Sequence, residues 1–272
     1  MLGILQGITE FLPISSSGHL VLFQDLLGLK DAVAMKAFDI AVHFGTLLAI
    51  LIYFRQDFWE LIRAFYLSVS RYSPTTTEAA KWLKTQQKML TILVIGTIPA
   101  VLVGFFLGDL IDEHLLNPLS VAVMLAVVAL FFLLAEAVYA RRKAHSELKL
   151  WEGLLIGLAQ SLALIPGVSR SGATITTGLF LGLEREKAAR FSFLLGSVAM
   201  VAATAYALLK IAKGDYTLPP PEILLTGITS SFAAGWLAVT FLMHFLKKHT
   251  LAVFAVYRLL LVAALVVWFH LI

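Results

Sequence analysis

The sequence predicts an all-α polytopic membrane protein made of two inverted-topology repeats, each a re-entrant helical hairpin plus three transmembrane helices. Three observations lead to this fold class. The 272 residues are 60% hydrophobic and 14% charged, whereas a soluble domain carries about 25% charged residues. Uncharged runs close to the roughly 20 residues that cross a bilayer core recur along the chain. A segment at the start of the chain also returns in its second half.

Six segments are long and apolar enough to cross a membrane. They lie at 34–54, 89–108, 118–139, 190–211, 222–244 and 251–271. Residues 1–29 and 153–183 differ, because each contains two short apolar runs on either side of a turn, PISSSG or PGVSRSG. Neither run can span the bilayer alone, so we interpret both regions as hairpins that enter and leave on one face. A single kinked span is the alternative for each.

The two hairpin regions are related by sequence. A shift of 154 residues, with no gap, gives nine identities in the 32 positions from 3 to 34. Chance matches of Leu and Ala are common in apolar sequence, but matches of Gln, Ser and Gly are not. The paired residues are Gly3 with Gly157, Gln6 with Gln160, Ser15 with Ser169, Ser17 with Ser171, Gly18 with Gly172, LGL at 27–29 with LGL at 181–183, and Ala34 with Ala188. We therefore predict one integral membrane domain, 1–272, with repeats at about 1–140 and 151–272.

Counting the crossings predicts the orientation. Three spans follow each hairpin, so the second hairpin enters from the opposite face and the repeats are inverted, as in many transporters. Loops 55–88, 140–152, 184–190 and 245–250 share one face and hold 15 Lys and Arg residues. The opposite face has Lys30, Lys36, Lys210 and Lys213, and the acidic residues Asp109, Asp112 and Glu113. The positive-inside rule places the basic face in the cytoplasm, with both termini and the mouth of the first hairpin outside. The 55–88 loop carries a short amphipathic helix, interfacial or mobile, with no predicted chemistry.

Ionisable residues inside apolar segments are candidates for function, because they are costly in a bilayer. They are Glu10, His19, Lys36, Asp39, His43, Glu136, Arg170, His244 and Arg258. Snorkelling or pairing between helices explains Glu136, His244 and Arg258. Asp39 and His43 lie four residues apart on one helix face, where they either support a site from behind or make a polar contact between helices.

The hairpin turns carry the sharper pattern. Gln6 and Glu10 share a helix face before Pro13, Ser15, Ser16 and Ser17 form the tip, and His19 begins the return helix. In the second turn, Ser169 or Ser171 caps the returning helix while Arg170 projects. Two such turns meeting at the repeat interface form an anion site, in particular for phosphate. A serine hydroxyl there attacks phosphorus if His19 or Glu10 takes its proton. Ion pairing with Arg170 is the alternative role for Glu10.

The two turn motifs are similar to those of a known family. QGITEFLPISSSGHL resembles an (E/Q)xxxE segment followed by PxSSxGH, and PGVSRSGATI resembles PGxSRSGAT. FDIAVHFGTLLAIL and FAVYRLLLVAAL also look like family segments, so the resemblance covers essentially the whole chain. The family is the bacterial undecaprenyl-pyrophosphate phosphatases, linked to bacitracin resistance.

The resemblance implies hydrolysis of undecaprenyl pyrophosphate to the monophosphate carrier used in cell-envelope synthesis. Ser16 falls on the family's proposed nucleophile, His19 on its motif histidine and Glu10 on its invariant acid. Phosphate contacts are implied for the two turn segments, namely Ser15, Ser17, Ser169, Arg170, Ser171 and Thr174. The family needs a divalent cation, Mg²⁺ or Ca²⁺. Gln6 stands where a second acid is allowed, so Glu10 is the best metal-ligand candidate and the cation arrives chiefly on the pyrophosphate.

A membrane transporter or a lipid flippase built on inverted repeats is the alternative function, because paired hairpins also build solute pathways. The expected partners are undecaprenyl pyrophosphate and membrane lipids. No nucleic acid is expected, because basic loops explain the net charge of +4. A homodimer is neither required nor excluded by the sequence.

Overall fold

The structure is a computed structural model that describes residues 1–28, 32–214 and 218–271. The predictions that rest on Leu29 and Lys30, and on the side chains of Ala34, Lys36 and Asp112, lie outside the described residues.

Across the described residues the chain is helical and forms no strand. The helices are α1 (Leu2–Phe11), α2 (Ser16–Leu26), α3 (Ala32–Tyr53), α4 (Arg55–Val69), α5 (Thr77–Leu115), α6 (Pro118–Tyr139), α7 (Leu150–Leu162), α8 (Arg170–Leu181), α9 (Arg185–Ala212), α10 (Pro221–Phe245) and α11 (Ala252–Leu271). The predicted all-α class is therefore confirmed.

Four helices, α5, α6, α9 and α10, are each long and apolar enough to cross a membrane. The segment Ala37–Tyr53 of α3 meets the same requirement only together with α4, from which it is bent by 78°. Helix α11 is 20 residues long, and its described apolar stretch is Ala252–Trp268. A multi-pass membrane protein is thus established, with four or five candidate crossings among the described residues, whereas the predicted sixth stays a prediction.

The predicted loop at 55–88 is wrong over much of its length. Residues Arg55–Val69 form α4, and the amphipathic stretch around Trp82 is the beginning of the 39-residue helix α5. The chain between them, Ser70–Thr76, contains Pro74, which cannot continue a helix. Thr76 caps α5 by accepting a hydrogen bond from the Ala79 amide at 3.2 Å. The turn residues are therefore confined to a short connection.

Both predicted hairpins are present as pairs of packed short helices, α1 with α2 and α7 with α8. Their turns share an unusual backbone conformation, because Ser15 has φ 76° and its repeat counterpart Ser169 has φ 74°. Each of these serines accepts a hydrogen bond from the glycine amide three residues later, at 3.3 Å from Gly18 and 3.2 Å from Gly172. The turns are thus alike in geometry as well as in sequence. The inverted relation of the two halves stays a prediction.

Each hairpin packs its first helix against a long helix of the other half, α1 on α10 and α7 on α5. Glycines make these contacts close. A Cβ at Gly7 would lie 2.7 Å from the Gly235 amide nitrogen, and a Cβ at Gly157 would collide with the Gly96 backbone. Small residues allow such approach between helices in membranes. The polar turns are consequently held inside the helix bundle, among buried side chains.

Candidate active site

The two hairpin turns meet through Glu10 of α1 and Arg170 at the start of α8. Arg170 Nη2 lies 2.5 Å from Glu10 Oε1, and both side chains are largely buried. The turns touch again where the Ser171 hydroxyl approaches the Leu12 carbonyl at 3.4 Å. The predicted meeting of the turns is therefore found, and it joins residues 160 positions apart in the chain.

Glu10 is the centre of a buried hydrogen-bond cluster. Its second oxygen, Oε2, accepts from the half-buried Ser16 hydroxyl at 2.6 Å and from the Gln6 amide nitrogen at 2.9 Å. Three donors thus surround one carboxylate, and charge-assisted bonds of this kind are stronger than neutral ones. The arrangement fixes Ser16 beside a base and Arg170 beside the same group. Serine, acid and arginine form one unit.

Gly196 of α9 determines where the Arg170 guanidinium lies. Arg170 Nη1 donates to the Gly196 carbonyl at 2.8 Å. A Cβ at position 196 would lie 2.8 Å from Arg170 Cζ, closer than real side chains approach. The missing side chain therefore makes room for the guanidinium, and α9 belongs to the site. Nothing in the sequence around Gly196 marks this role.

The remaining hydroxyl residues of the turns are mostly engaged locally. Ser15 and Ser169 are buried helix caps, and Ser169 is one of the two caps predicted for the second turn. The Thr174 hydroxyl donates to the Arg170 carbonyl at 2.7 Å and lies 2.5 Å from the Ser192 hydroxyl. Ser17 and Ser171 lie 3.4 and 3.3 Å from the capping serine of their own turn. Among the hydroxyl residues predicted to bind phosphate, Ser17 is the least buried, as is the predicted nucleophile Ser16 beside it.

His19 lies near the first turn but makes other bonds. Its Nδ1 lies 2.7 Å from the Ser15 carbonyl, which can only accept, so Nδ1 carries the proton. In the neutral ring Nε2 then accepts from the Tyr257 hydroxyl at 2.7 Å. Both ring nitrogens are thus occupied, and the contact of the Ser16 hydroxyl is with Glu10. Of the two predicted bases, this geometry favours Glu10.

The three predicted supporting residues differ in their contacts. Gln6 touches Glu10 directly, and His43 Nε2 lies 3.7 Å from Glu10 Oε2. Asp39 accepts from the Gln24 amide at 3.0 Å. The structure therefore brings Gln6 and His43 to the cluster, while Asp39 makes the alternative polar contact between helices, here α2 and α3.

Arg258 of α11 is the residue whose role the sequence analysis missed. It is fully buried instead of snorkelling. Its guanidinium donates to backbone carbonyls of both turns, at 3.3 Å to Pro13 and 2.6 Å to Gly167, and to α6 at 3.1 Å to Leu125. Among the residues described, no carboxylate forms an ion pair with it. A full charge in the middle of an apolar helix was the available signal.

Glu136 and His244 lie away from this cluster. Glu136 pairs with Arg185 at 2.5 Å and accepts from the Leu251 amide at 2.8 Å, which confirms pairing between helices. His244 is exposed and its Nδ1 lies 2.8 Å from the Thr240 carbonyl of its own helix. Neither residue belongs to the candidate active site.

The side chains around Glu10 do not suit a resident metal ion. Its carboxylate oxygens already accept from Gln6, Ser16 and Arg170. Within the described ranges, no group of three or more His, Cys, Asp and Glu side chains lies close enough to hold a metal. Mg²⁺ and Ca²⁺ prefer several oxygen ligands. A protein-held divalent ion is thus not supported by these residues.

Fold and site together define a class, a multi-pass membrane protein with a buried serine, acid and arginine cluster between two helical hairpins. Comparison with known families then identifies the particular group. The sequence model described as "Bacitracin resistance protein BacA" matches residues 1–264. The chain belongs to this family, and the resemblance read from its turn motifs is confirmed.

Curated relatives match over nearly their full length. A protein of Rubrobacter xylanophilus is 39% identical over 263 residues, covering 97% of this chain and 94% of that protein. One of Thermomicrobium roseum is 40% identical over 270 residues, covering 96% and 93%. One of Thermodesulfovibrio yellowstonii is 42% identical over 262 residues, covering 95% and 91%. Each of the three is named undecaprenyl-diphosphatase.

Proposed function

We propose that this protein hydrolyses undecaprenyl pyrophosphate to undecaprenyl phosphate and inorganic phosphate, recycling the lipid carrier for cell-envelope synthesis. The observation that carries the proposal is the contact of the Ser16 hydroxyl with Glu10, and of Glu10 with Arg170. A hydroxyl, a base and a phosphate-binding cation lie within one cluster, as phosphoryl transfer to a nucleophile requires. The names of the curated relatives point to the same activity.

Arg170 is the group that the substrate would engage first. Guanidinium binds two phosphate oxygens at once. A terminal phosphate that draws Arg170 away from Glu10 Oε1 removes the counter-ion of the carboxylate that accepts from Ser16 through Oε2. The ion pair between Arg170 and Glu10 is then the resting arrangement. Glu10 pairs with Arg170 before the substrate binds and acts as the base for Ser16 afterwards. Charge on the equatorial oxygens is stabilised by Arg170 during transfer.

The chemistry proceeds in two displacements. Ser16 Oγ attacks the terminal phosphorus in line and its proton passes to Glu10. The bond from that phosphorus to the bridging oxygen breaks, and undecaprenyl phosphate leaves with the oxygen. Glu10 gives this proton to the departing undecaprenyl phosphate and is a carboxylate again. Water then attacks the phosphoserine and gives a proton to Glu10, and Glu10 passes it to the seryl oxygen as the bond from that oxygen to phosphorus breaks and phosphate departs. Direct attack by water, with Ser16 only positioning phosphate, is the mechanistic rival.

Phosphate release from undecaprenyl or farnesyl pyrophosphate by purified protein in detergent tests the activity. We expect Ser16→Ala and Arg170→Ala to lose at least about a hundredfold in rate, as removal of a group that stabilises the transition state does. Ser68→Ala is the matched control, because that hydroxyl bonds only within and beside α4. Absence of release by the wild type at every concentration of Mg²⁺ and Ca²⁺ would refute the proposal.

A substrate labelled with ³²P at the terminal phosphate separates the two mechanisms. Rapid acid quench followed by peptide mapping should place label on the peptide containing Ser16, and Ser16→Ala should remove it. If no label is found on the protein at saturating substrate, and Ser16→Ala keeps residual turnover, direct attack by water is favoured.

The divalent cation, Mg²⁺ or Ca²⁺, is proposed to arrive bound to the pyrophosphate, because the side chains around Glu10 do not form a metal site. Glu10 stays the best single ligand candidate. Titration of protein with Mn²⁺, followed by electron paramagnetic resonance, should show tight binding only when a pyrophosphate analogue is present. Equal binding without the analogue would contradict this.

We also propose a bacterial inner-membrane location with both termini and the first hairpin's mouth outside. The cysteine-free chain allows single cysteines to be introduced at Glu113 and Arg142. An external thiol reagent should label position 113 in intact cells and position 142 only after permeabilisation, and the reverse would overturn the orientation. A homodimer is a further proposal, to be decided by native mass spectrometry.

A transporter or lipid flippase is not favoured, because the curated relatives bear the name of a phosphatase. Phosphate release in detergent, where no second compartment exists, distinguishes hydrolysis from transport. The proposed inverted repeat is compatible with either function.

A further inference from the structure

Helix α4 carries an exposed apolar face that the candidate active site does not use. Its aromatic face, as we name it, is made of residues at helical spacing on one side of the helix: Trp59, Ile62, Phe65, Tyr66 and Val69. These side chains are between 60% and 69% exposed. Exposure of so many large apolar groups on one short helix marks a contact surface.

The direction of α4 indicates what this surface contacts. α4 leaves the apolar helix α3 at Phe54 with a bend of 78°. If α3 crosses the bilayer, α4 lies close to the membrane plane. Leu61 and Ala64 are buried on the opposite side, and α4 packs on α5, which fixes its rotation. A helix in this position with Trp and Tyr on its apolar side is typical of interfacial membrane helices.

Most of the charged residues on α4 and the beginning of α5 are basic. Both acids of α4 have partners, since Asp57 pairs with Arg190 and Glu60 accepts from Gln86 at 2.8 Å. Arg63 is exposed, and its guanidinium lies over the Trp82 ring at 5.3 Å from the ring centre. Lys81 and Lys84, on the next turn of α5, are exposed as well. Basic groups at the membrane surface attract anionic lipid headgroups.

We propose that α4 and the first turns of α5 form a lipid-binding element, in which the aromatic face enters the bilayer interface and Arg63, Lys81 and Lys84 bind anionic phospholipid headgroups. The aromatic face anchors the element by burying apolar area, and the basic side chains select the headgroup. The element lies outside the Ser16, Glu10 and Arg170 cluster, so the inference is independent of the proposed phosphatase activity.

Depth is measured with a fluorophore at single cysteines in proteoliposomes. Ile62→Cys and Val69→Cys report the aromatic face, and Gln56→Cys, exposed at the other side of α4, is the matched control. We expect brominated acyl chains to quench positions 62 and 69 and aqueous iodide to quench position 56. Iodide quenching at 62 and 69 as strong as at 56 would overturn membrane insertion. Protection of positions 62 and 69 from both quenchers would mean that a protein covers the aromatic face, and this result would also overturn membrane insertion.

Headgroup selection is measured as the ratio of quenching at position 62 by brominated phosphatidylglycerol to that by brominated phosphatidylcholine. Each basic side chain near the surface contributes about a fivefold preference. Arg63→Gln with Lys84→Gln should therefore lower this ratio severalfold, whereas Arg141→Gln with Lys143→Gln, exposed elsewhere, should leave it unchanged. An equal ratio in both double variants would overturn the anionic-lipid assignment. Phosphate release by the same samples shows that each variant is folded.

Discussion

Arg258→Met is expected to loosen both hairpin turns at once, because one guanidinium holds carbonyls from each of them. The wild-type side chain reaches Pro13 of the first turn, Gly167 and Val168 of the second, and Met124 and Leu125 of α6. Methionine has a similar length and no donor. The substitution leaves buried carbonyls without partners in two turns and in the helix beside them.

The size of the effect follows from the bond lengths. The contacts with Gly167 and Leu125 are 2.6 and 3.1 Å, and those with Pro13, Val168 and Met124 are 3.3 Å. Hydrogen bonds to a charged group contribute about 1.5–3 kcal/mol each, so the two shorter ones account for about 3–6 kcal/mol. Removing a desolvated charge offsets part of this, and a net loss of about 2–4 kcal/mol remains. Arg258→Lys keeps the charge but lacks the planar set of guanidinium donors, so its free energy of unfolding should fall by about 1–2 kcal/mol.

The free energy of unfolding in mixed micelles, measured by titration with a denaturing detergent, tests this order of stabilities. Hydrogen exchange should also rise in residues 12–18 and 163–169 of Arg258→Met, ahead of the long helices. Arg190→Gln is the control, because its partly exposed ion pair with Asp57 contributes about 0–1 kcal/mol. If the free energy of unfolding of Arg258→Met lies within about 1 kcal/mol of that of the control, and hydrogen exchange in both turns is unchanged, Arg258 does not hold the two turns.

Three further substitutions probe close packing and buried polar contacts, beside the site at Gly196 and elsewhere in the fold at Gln160 and Glu136. Gly196→Ala places a Cβ 2.8 Å from Arg170 Cζ, so the guanidinium must move and phosphate release should fall at least about tenfold, as for a misplaced catalytic group. Gln160→Leu replaces a buried amide whose two polar atoms have no partner in the described residues, and should raise the free energy of unfolding by about 1–2 kcal/mol. Glu136→Gln weakens the pair with Arg185 and should lower that free energy by about 2 kcal/mol without changing KM.

Each of these has its own control. Ser197→Ala adds no atom beside Arg170 and should leave the rate of phosphate release intact, so equal losses at 196 and 197 would contradict the steric argument. Gln6→Leu removes a donor to Glu10 and should not stabilise, in contrast to its repeat counterpart Gln160. For Glu136, a parallel loss of activity per folded molecule would show that the pair reaches the site.

The sequence was most informative where backbone chemistry is local. Pro13 and the glycines of both turns interrupt apolar runs, and the short helices before and after them are where the interruptions predict. The contact between Glu10 and Arg170 was also foreseeable, because the repeat alignment implied that both turns reach one interface. Gln6 lies beside Glu10 as helical spacing requires, whereas Ser16 reaches Glu10 because the turn brings the start of α2 back to α1.

Other features depend on tertiary contacts that leave no local pattern. The partners of Arg258 are backbone carbonyls, which every residue has, so no side chain in the sequence reveals them. Gly196 is one glycine among many in apolar helices until Arg170 is placed against it. Helix α4 lies within the predicted loop at 55–88, although its own apolar residues recur at helical spacing.

Backbone carbonyls hold Arg258 without cancelling its charge, and this shapes the electrostatic potential between the turns. In the described part of the chain, the positive charges of Arg170 and Arg258 exceed the single negative charge of Glu10 at the two turns. A diphosphate head carries more negative charge than the monophosphate that remains on the lipid. In a medium of low dielectric constant that difference is large. Under the proposed reaction, hydrolysis therefore weakens the attraction of the protein for its own lipid product, and this loss of attraction favours release of the carrier lipid.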